Sequence, residues 1–96
     1  MEKRRDERVK KRMSVTVNDK VGFVVDMSQS GIQLLMSSVP QSRDVSIRFQ
    51  TEEKSFELQG VIKWIRKQIS QYQQYQVGIL LTNACYEYYQ LIEKPM

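Results

Sequence analysis

Histidine is absent from the 96 residues, and cysteine occurs once, at Cys85. No intrachain disulfide can form, which points to a reducing compartment. This composition cannot assemble a zinc site or a Cys–His or Ser–His–Asp nucleophile, so the sequence predicts that the chain is not an enzyme of those classes. Long apolar runs are missing too. Val77–Leu81, as long as any, contains Gly78 and falls far short of the roughly 20 residues that span a bilayer. No apolar stretch of the kind a secretory signal needs follows the charged N-terminus. These absences together predict a soluble, cytoplasmic protein. At 11.4 kDa the chain allows one domain, with a modest core that buries about 60–68% of the unfolded surface.

Charge is abundant but unevenly placed. Residues 1–12 hold seven basic side chains against Glu2, Asp6 and Glu7, and so carry the whole net charge of +4. The remaining residues balance eight basic with eight acidic side chains. With Val9 as its only aliphatic residue, the leading segment cannot bury itself and is expected to be a mobile arm that attracts an anion. Four of its seven cations are arginine (Arg4, Arg5, Arg8, Arg12). Arginine offers a planar fork for phosphate or for the O6/N7 edge of guanine, which solubility alone would not require.

From residue 13 the pattern becomes short and alternating. Val21, Phe23 and Val25 share one face, as do Ile32, Leu34 and Met36, and then Val45, Ile47 and Phe49. A longer stretch runs from Phe56 through Ile65, and another from Tyr75 through Leu81. Period-two alternation of β-branched and aromatic residues predicts half-buried strands, with most aromatics on inward faces. Turn chemistry separates them at Asn18-Asp19, 28–31, 40–44 and 51–54. Five or six strands, counting 14–17, close most economically into a small antiparallel barrel, because an open sheet of this size would expose its edges and a wet apolar face. Gly60 suits a bulge at a barrel corner. The period then changes: Cys85, Tyr88, Tyr89 and Ile92 fall on one face of a helix over about 83–93, with Thr82 or Asn83 as cap. Tyr86, Tyr88 and Tyr89 cannot all face inward, so at least one is exposed. Trp64 reads as core or barrel rim.

Two motifs carry chemistry. Arg4 and Arg8 are spaced as RxxxR, with Arg5 between them, and Arg8/Arg12 satisfies the same spacing. Asp26-Met27-Ser28-Gln29-Ser30-Gly31 follows directly on a strand. Taken alone, the second motif also reads as a plain strand–turn–strand in which Gly31 supplies a positive φ.

In order and spacing the pair resembles the PilZ family, bacterial receptors for cyclic di-GMP. That family joins RxxxR in an N-terminal loop to [D/N]xSxxG on the barrel. Ile32-Gln33-Leu34, Gly60-Val61-Ile62-Lys63-Trp64 and Val77-Gly78-Ile79 are similar to the family as well. The resemblance implies an all-β, six-stranded antiparallel PilZ-like barrel (13–96) with a basic arm (1–12) and a short C-terminal helix. It implies cyclic di-GMP as ligand, bound by Arg4, Arg5, Arg8, Asp26, Ser28 and Gly31, with no metal or cofactor. Arg4/Arg8 is the preferred pair, because an apolar residue, Val9, then follows the second arginine. The chemistry agrees. The ligand has two phosphates and two guanines, so forked cations and a carboxylate acceptor for guanine N1–H and N2–H₂ are the groups required. The expected output is protein–protein contact with motility, pilus or exopolysaccharide machinery. Two competitors are a PilZ-like interaction module that binds no nucleotide and, less favoured, a barrel that binds nucleic acid.

Overall fold

The computed structural model describes residues 13–52, 54–68, 74–84 and 86–93. The arm and Cys85 lie outside the described residues. Six strands, β1 (Ser14–Val17), β2 (Lys20–Met27), β3 (Gly31–Met36), β4 (Asp44–Gln50), β5 (Ser55–Gln68) and β6 (Gln74–Asn83), precede one helix, α1 (Tyr86–Glu93). All strand pairs are antiparallel, and the order β1-β2-β3-β6-β5-β4 closes on itself as a barrel. The expected architecture is present. No helix among the described residues is long and apolar enough to cross a membrane.

Alternation along β3 and β4 turns Ile32, Leu34, Met36, Val45, Ile47 and Phe49 into the core. Phe49 stacks on its cross-strand partner Phe56, with ring centroids 4.8 Å apart. Strand β2 departs from the expected polarity. Val21 and Phe23 are 59% and 56% exposed, so their face is the outer one. The register with β1 explains this: Val15, which is buried, pairs with Gly22 and so turns Gly22 inward. The space a side chain at Gly22 would need is held by Met36, whose Cγ is 3.1 Å from an ideal Cβ position. A register shift between Val24 and Asp26 then lets Asp26 and Met27 both be buried, as a bulge allows. Further shifts occur at Gln59/Gly60, where the glycine suggested one, and at Ile62/Trp64.

The C-terminal helix is shorter than expected, because Asn83 still pairs with Gln59 and therefore ends β6 instead of capping α1. Tyr88 and Ile92, one turn apart, enter the core cluster with Tyr89 packed against it. Tyr86 is the exposed tyrosine.

The closure seam is narrow, since β1 meets β4 through only Thr16↔Arg48 and Val17↔Ile47. Asn18 reinforces it. This is the one described non-glycine residue in the left-handed region, with φ 57°, a conformation that asparagine tolerates. From there its N–H donates to Ser46 O (2.9 Å) and its Oδ1 accepts from Ser46 N–H (3.0 Å). The β1–β2 turn is thereby fastened to β4. Replacing Asn18 with Gly keeps the backbone and removes one hydrogen bond, at an expected cost of about 1 kcal/mol. Asn18→Ala should cost about 1 kcal/mol more, because alanine resists the left-handed region. Urea denaturation of the two variants side by side checks both values.

Candidate functional site

The Asp26–Gly31 motif is a tight hairpin turn between β2 and β3. Ser28 N–H donates to Gly31 O (2.8 Å), and Gly31 N–H donates to Ser28 Oγ (3.2 Å). Ser28 is 1% exposed, so its hydroxyl closes the turn from inside. Gly31 does not have a positive φ; no glycine does. It is extended, and the reason for glycine is close approach: a Cβ there would lie 2.8 Å from Ile79 O on β6. Asp26, on β2 beside Gln33 of β3, is mostly buried at the bulge. The turn is also held from below. Tyr88 Oη donates to Ser28 O (2.6 Å) and lies 3.5 Å from Gly31 O, which ties α1 to the motif across 60 residues of chain.

Next to the turn the outer surface of β3, β6 and β5 forms a shallow cleft of about 160 Å³, lined by Ser30, Gly31, Gln33, Lys63, Trp64 and Gly78 among others. Trp64 belongs to this outer wall and not to the core. Gly78 lies opposite Trp64 in the ladder, and a Cβ on it would overlap the indole, so the absence of a side chain lets the ring lie flat on β6. The guanidinium of Arg66 sits 5.3 Å from the ring centroid, a cation–π distance. A glutamine ladder stiffens the same face: Gln68 Nε2 donates to Gln76 Oε1, and Gln76 Nε2 donates to Gln33 Oε1, both at 3.0 Å.

The first described residue lies close to this turn. The described chain begins at Met13, whose carbonyl accepts the N–H of Val24 (2.9 Å). Because β1 and β2 are antiparallel, Met13 lies near the Asp26 end of β2. Arg8 is five residues from Met13, a reach of at most about 18 Å, and Arg4 is nine, at most about 32 Å. Arg4, Arg5, Arg8 and Arg12 themselves lie outside the described residues.

A larger groove of about 800 Å³ opens where β1 splays from β4, and it contains Arg48 and Glu57. Those two form an exposed ion pair at 3.5 Å, so the groove presents no excess of positive charge. Size and chemistry therefore point to different places.

The family model described as PilZ domain matches residues 2–84. This chain belongs to the PilZ domain family. The fold of this PilZ domain is similar to that of the Bacillus subtilis inhibitor of motility MotI/DgrA, with a TM-score of 0.72 at 13% identity. The likeness covers 96% of this chain and 48% of that protein, so the PilZ domain here spans about half its length. None of the curated proteins compared by sequence matches.

Tyr88, Gly78, Gln33 and Arg66 were not singled out as site residues from the sequence, because only strand pairing and helix docking bring them to the motif. Two variants test what they do. Tyr88→Phe keeps the buried ring and should cost about 1–2 kcal/mol in urea denaturation, with amide resonances of 28–31 changing most. Gly78→Ala should dislodge the indole and shift Trp64 fluorescence to the red while the far-UV spectrum stays that of a β-barrel.

Proposed function

We propose that this PilZ domain is a cyclic di-GMP receptor and adaptor. Its arm arginines close over the nucleotide at the Asp26–Gly31 turn, and it passes the signal on by protein contact. The observation that carries this reading is the root of the arm at Met13–Val24, two residues from Asp26. The open cleft of about 160 Å³ is smaller than the roughly 300 Å³ at which ligand pockets begin. A dinucleotide lying there needs a cover, and the arm is a charged one.

In this mechanism Arg4 and Arg8, with Arg5 between them, fork onto phosphate and guanine O6/N7. Asp26 accepts from guanine N1–H and N2–H₂. Ser28 and Gly31 act through the turn they hold, and Trp64 offers a base the edge of a flat apolar wall. Ordering the arm creates a surface that exists only with ligand bound, which is how an adaptor without catalysis reports a messenger. The motility role of the structural neighbour makes motility machinery the first target class to examine.

Calorimetric titration with cyclic di-GMP, with GTP and cyclic GMP as controls, tests the reading. Micromolar or tighter saturable binding is expected for cyclic di-GMP alone. Each of Arg4→Ala and Arg8→Ala should weaken it by about 1–3 kcal/mol, or about 5–150-fold. If Arg12→Ala is damaging and Arg4→Ala is silent, the motif is Arg8/Arg12. Absence of heat and of competition at tens of micromolar ligand would instead leave a PilZ interaction module that binds no nucleotide.

A further inference from the structure

Strand β5 outruns its neighbour β4. The β4–β5 ladder ends at Asp44↔Val61, and Ile62 N–H to Arg43 O (2.9 Å) is the last link. From Lys63 to Gln68, β5 pairs among the described residues with β6 alone. The register shows which backbone groups are left open. Leu81 N–H donates to Ser30 O on the β3 side, so along regular β6 the residues Val77 and Ile79 turn to β3, and Gln76 and Gly78 turn to β5. Arg66, opposite Gln76, therefore bonds to β6. The amides and carbonyls of Ile65 and Lys67, on either side of it, point away from the sheet.

We propose that this edge is a docking strand for an acidic, extended protein segment, which adds beside Lys63–Gln68 as a further β-strand. Three properties select that occupant. The edge alternates donors and acceptors, which another backbone satisfies completely. The phosphates of a nucleic acid could answer only the donors. Its charge is of one sign: Lys63, Arg66 and Lys67 are exposed, with Arg43 at the adjoining end of β4 and only Asp44 beside it to offset them. No ion pair among the described residues engages these cations. The same charges oppose pairing of two copies of this edge, since every antiparallel register would crowd both sets of Lys63, Arg66 and Lys67 into one ribbon. The inference does not rest on nucleotide binding.

The probe is acetyl-Glu-Val-Glu-Val-Glu-Val-Glu-amide, added to the ¹⁵N-labelled full chain up to about 1 mM, where a complex with a Kd of about 1 mM is half formed. Ile65 and Lys67 amides should shift most and, at half occupancy, exchange with solvent about twofold more slowly. The same peptide N-methylated at alternate residues, and its lysine-for-glutamate counterpart, should do neither. Lys67→Pro removes an outward N–H without cutting the β6 ladder and should abolish the response. Lys63→Glu/Lys67→Glu, which keeps the edge intact, should abolish it too. The proposal is overturned by unchanged exchange at Ile65 and Lys67 at the highest peptide concentration. An equal response to the N-methylated peptide or to oligothymidylate also overturns it. So does protection of these amides that grows with protein concentration in the absence of peptide, because that assigns the edge to a second copy.

Discussion

The structure turns on how closely β3 and β5 approach the Ile79–Leu80 stretch of β6. Gly31 meets Ile79 O from one side, and Gly60 meets Ile79 and Leu80 O from the other. At both places an ideal Cβ would come within 3.0 Å of β6 backbone, which a real side chain does not tolerate. Removing the side chains lets three strands curl tightly enough to close a barrel from only six, and a closed barrel has no full-length free edge. One residue earlier on the same strand, Gly78 accepts the indole of Trp64 flat on the outer surface. The constraint that closes the fold therefore also builds the cleft wall.

The turn that carries the Asp-x-Ser-x-x-Gly motif inherits its rigidity from this arrangement. Gly31 is the first residue of β3 and is seated against β6, while Ser28 is tied to it and to Tyr88 of the helix. A rigid turn on one side and a charged arm rooted at Met13 on the other form a division of labour suited to a receptor. In the proposed mechanism the conformational cost would fall on the arm, because hydrogen bonds already fix the turn. The helix is tied to the same turn by the 2.6 Å hydrogen bond from Tyr88 Oη to Ser28 O.

Much of this was legible in the residues. Strand positions, the barrel, the bulge at Gly60 and the buried Tyr88–Ile92 stripe follow from alternation, turn chemistry and the change of period at residue 85. Where the structure departs from the local pattern, a partner strand overrules it. Val21 and Phe23 have the alternation of an inward face, yet pairing with β1 turns Gly22 inward, because the adjacent interior is already filled by Met36. Gly31 has the local context of a turn glycine with positive φ, yet the reason for it lies 48 residues away at Ile79. Asn83 had the chemistry of a helix cap and instead completes a ladder with Gln59.

The sequence by itself determined the class of fold, the location of all the excess charge in the first 12 residues, and the two motifs with their chemistry. Those properties are local, since periodicity, composition and spacing act over a few residues. Only the tertiary structure decided which faces of β2 and Trp64 look outward, that Tyr88 braces the motif's turn, and that the arm is rooted beside Asp26. It also decided that β5 outlasts β4. Each of these depends on register between strands distant in sequence, and register is set by how the whole set of side chains fills one closed interior.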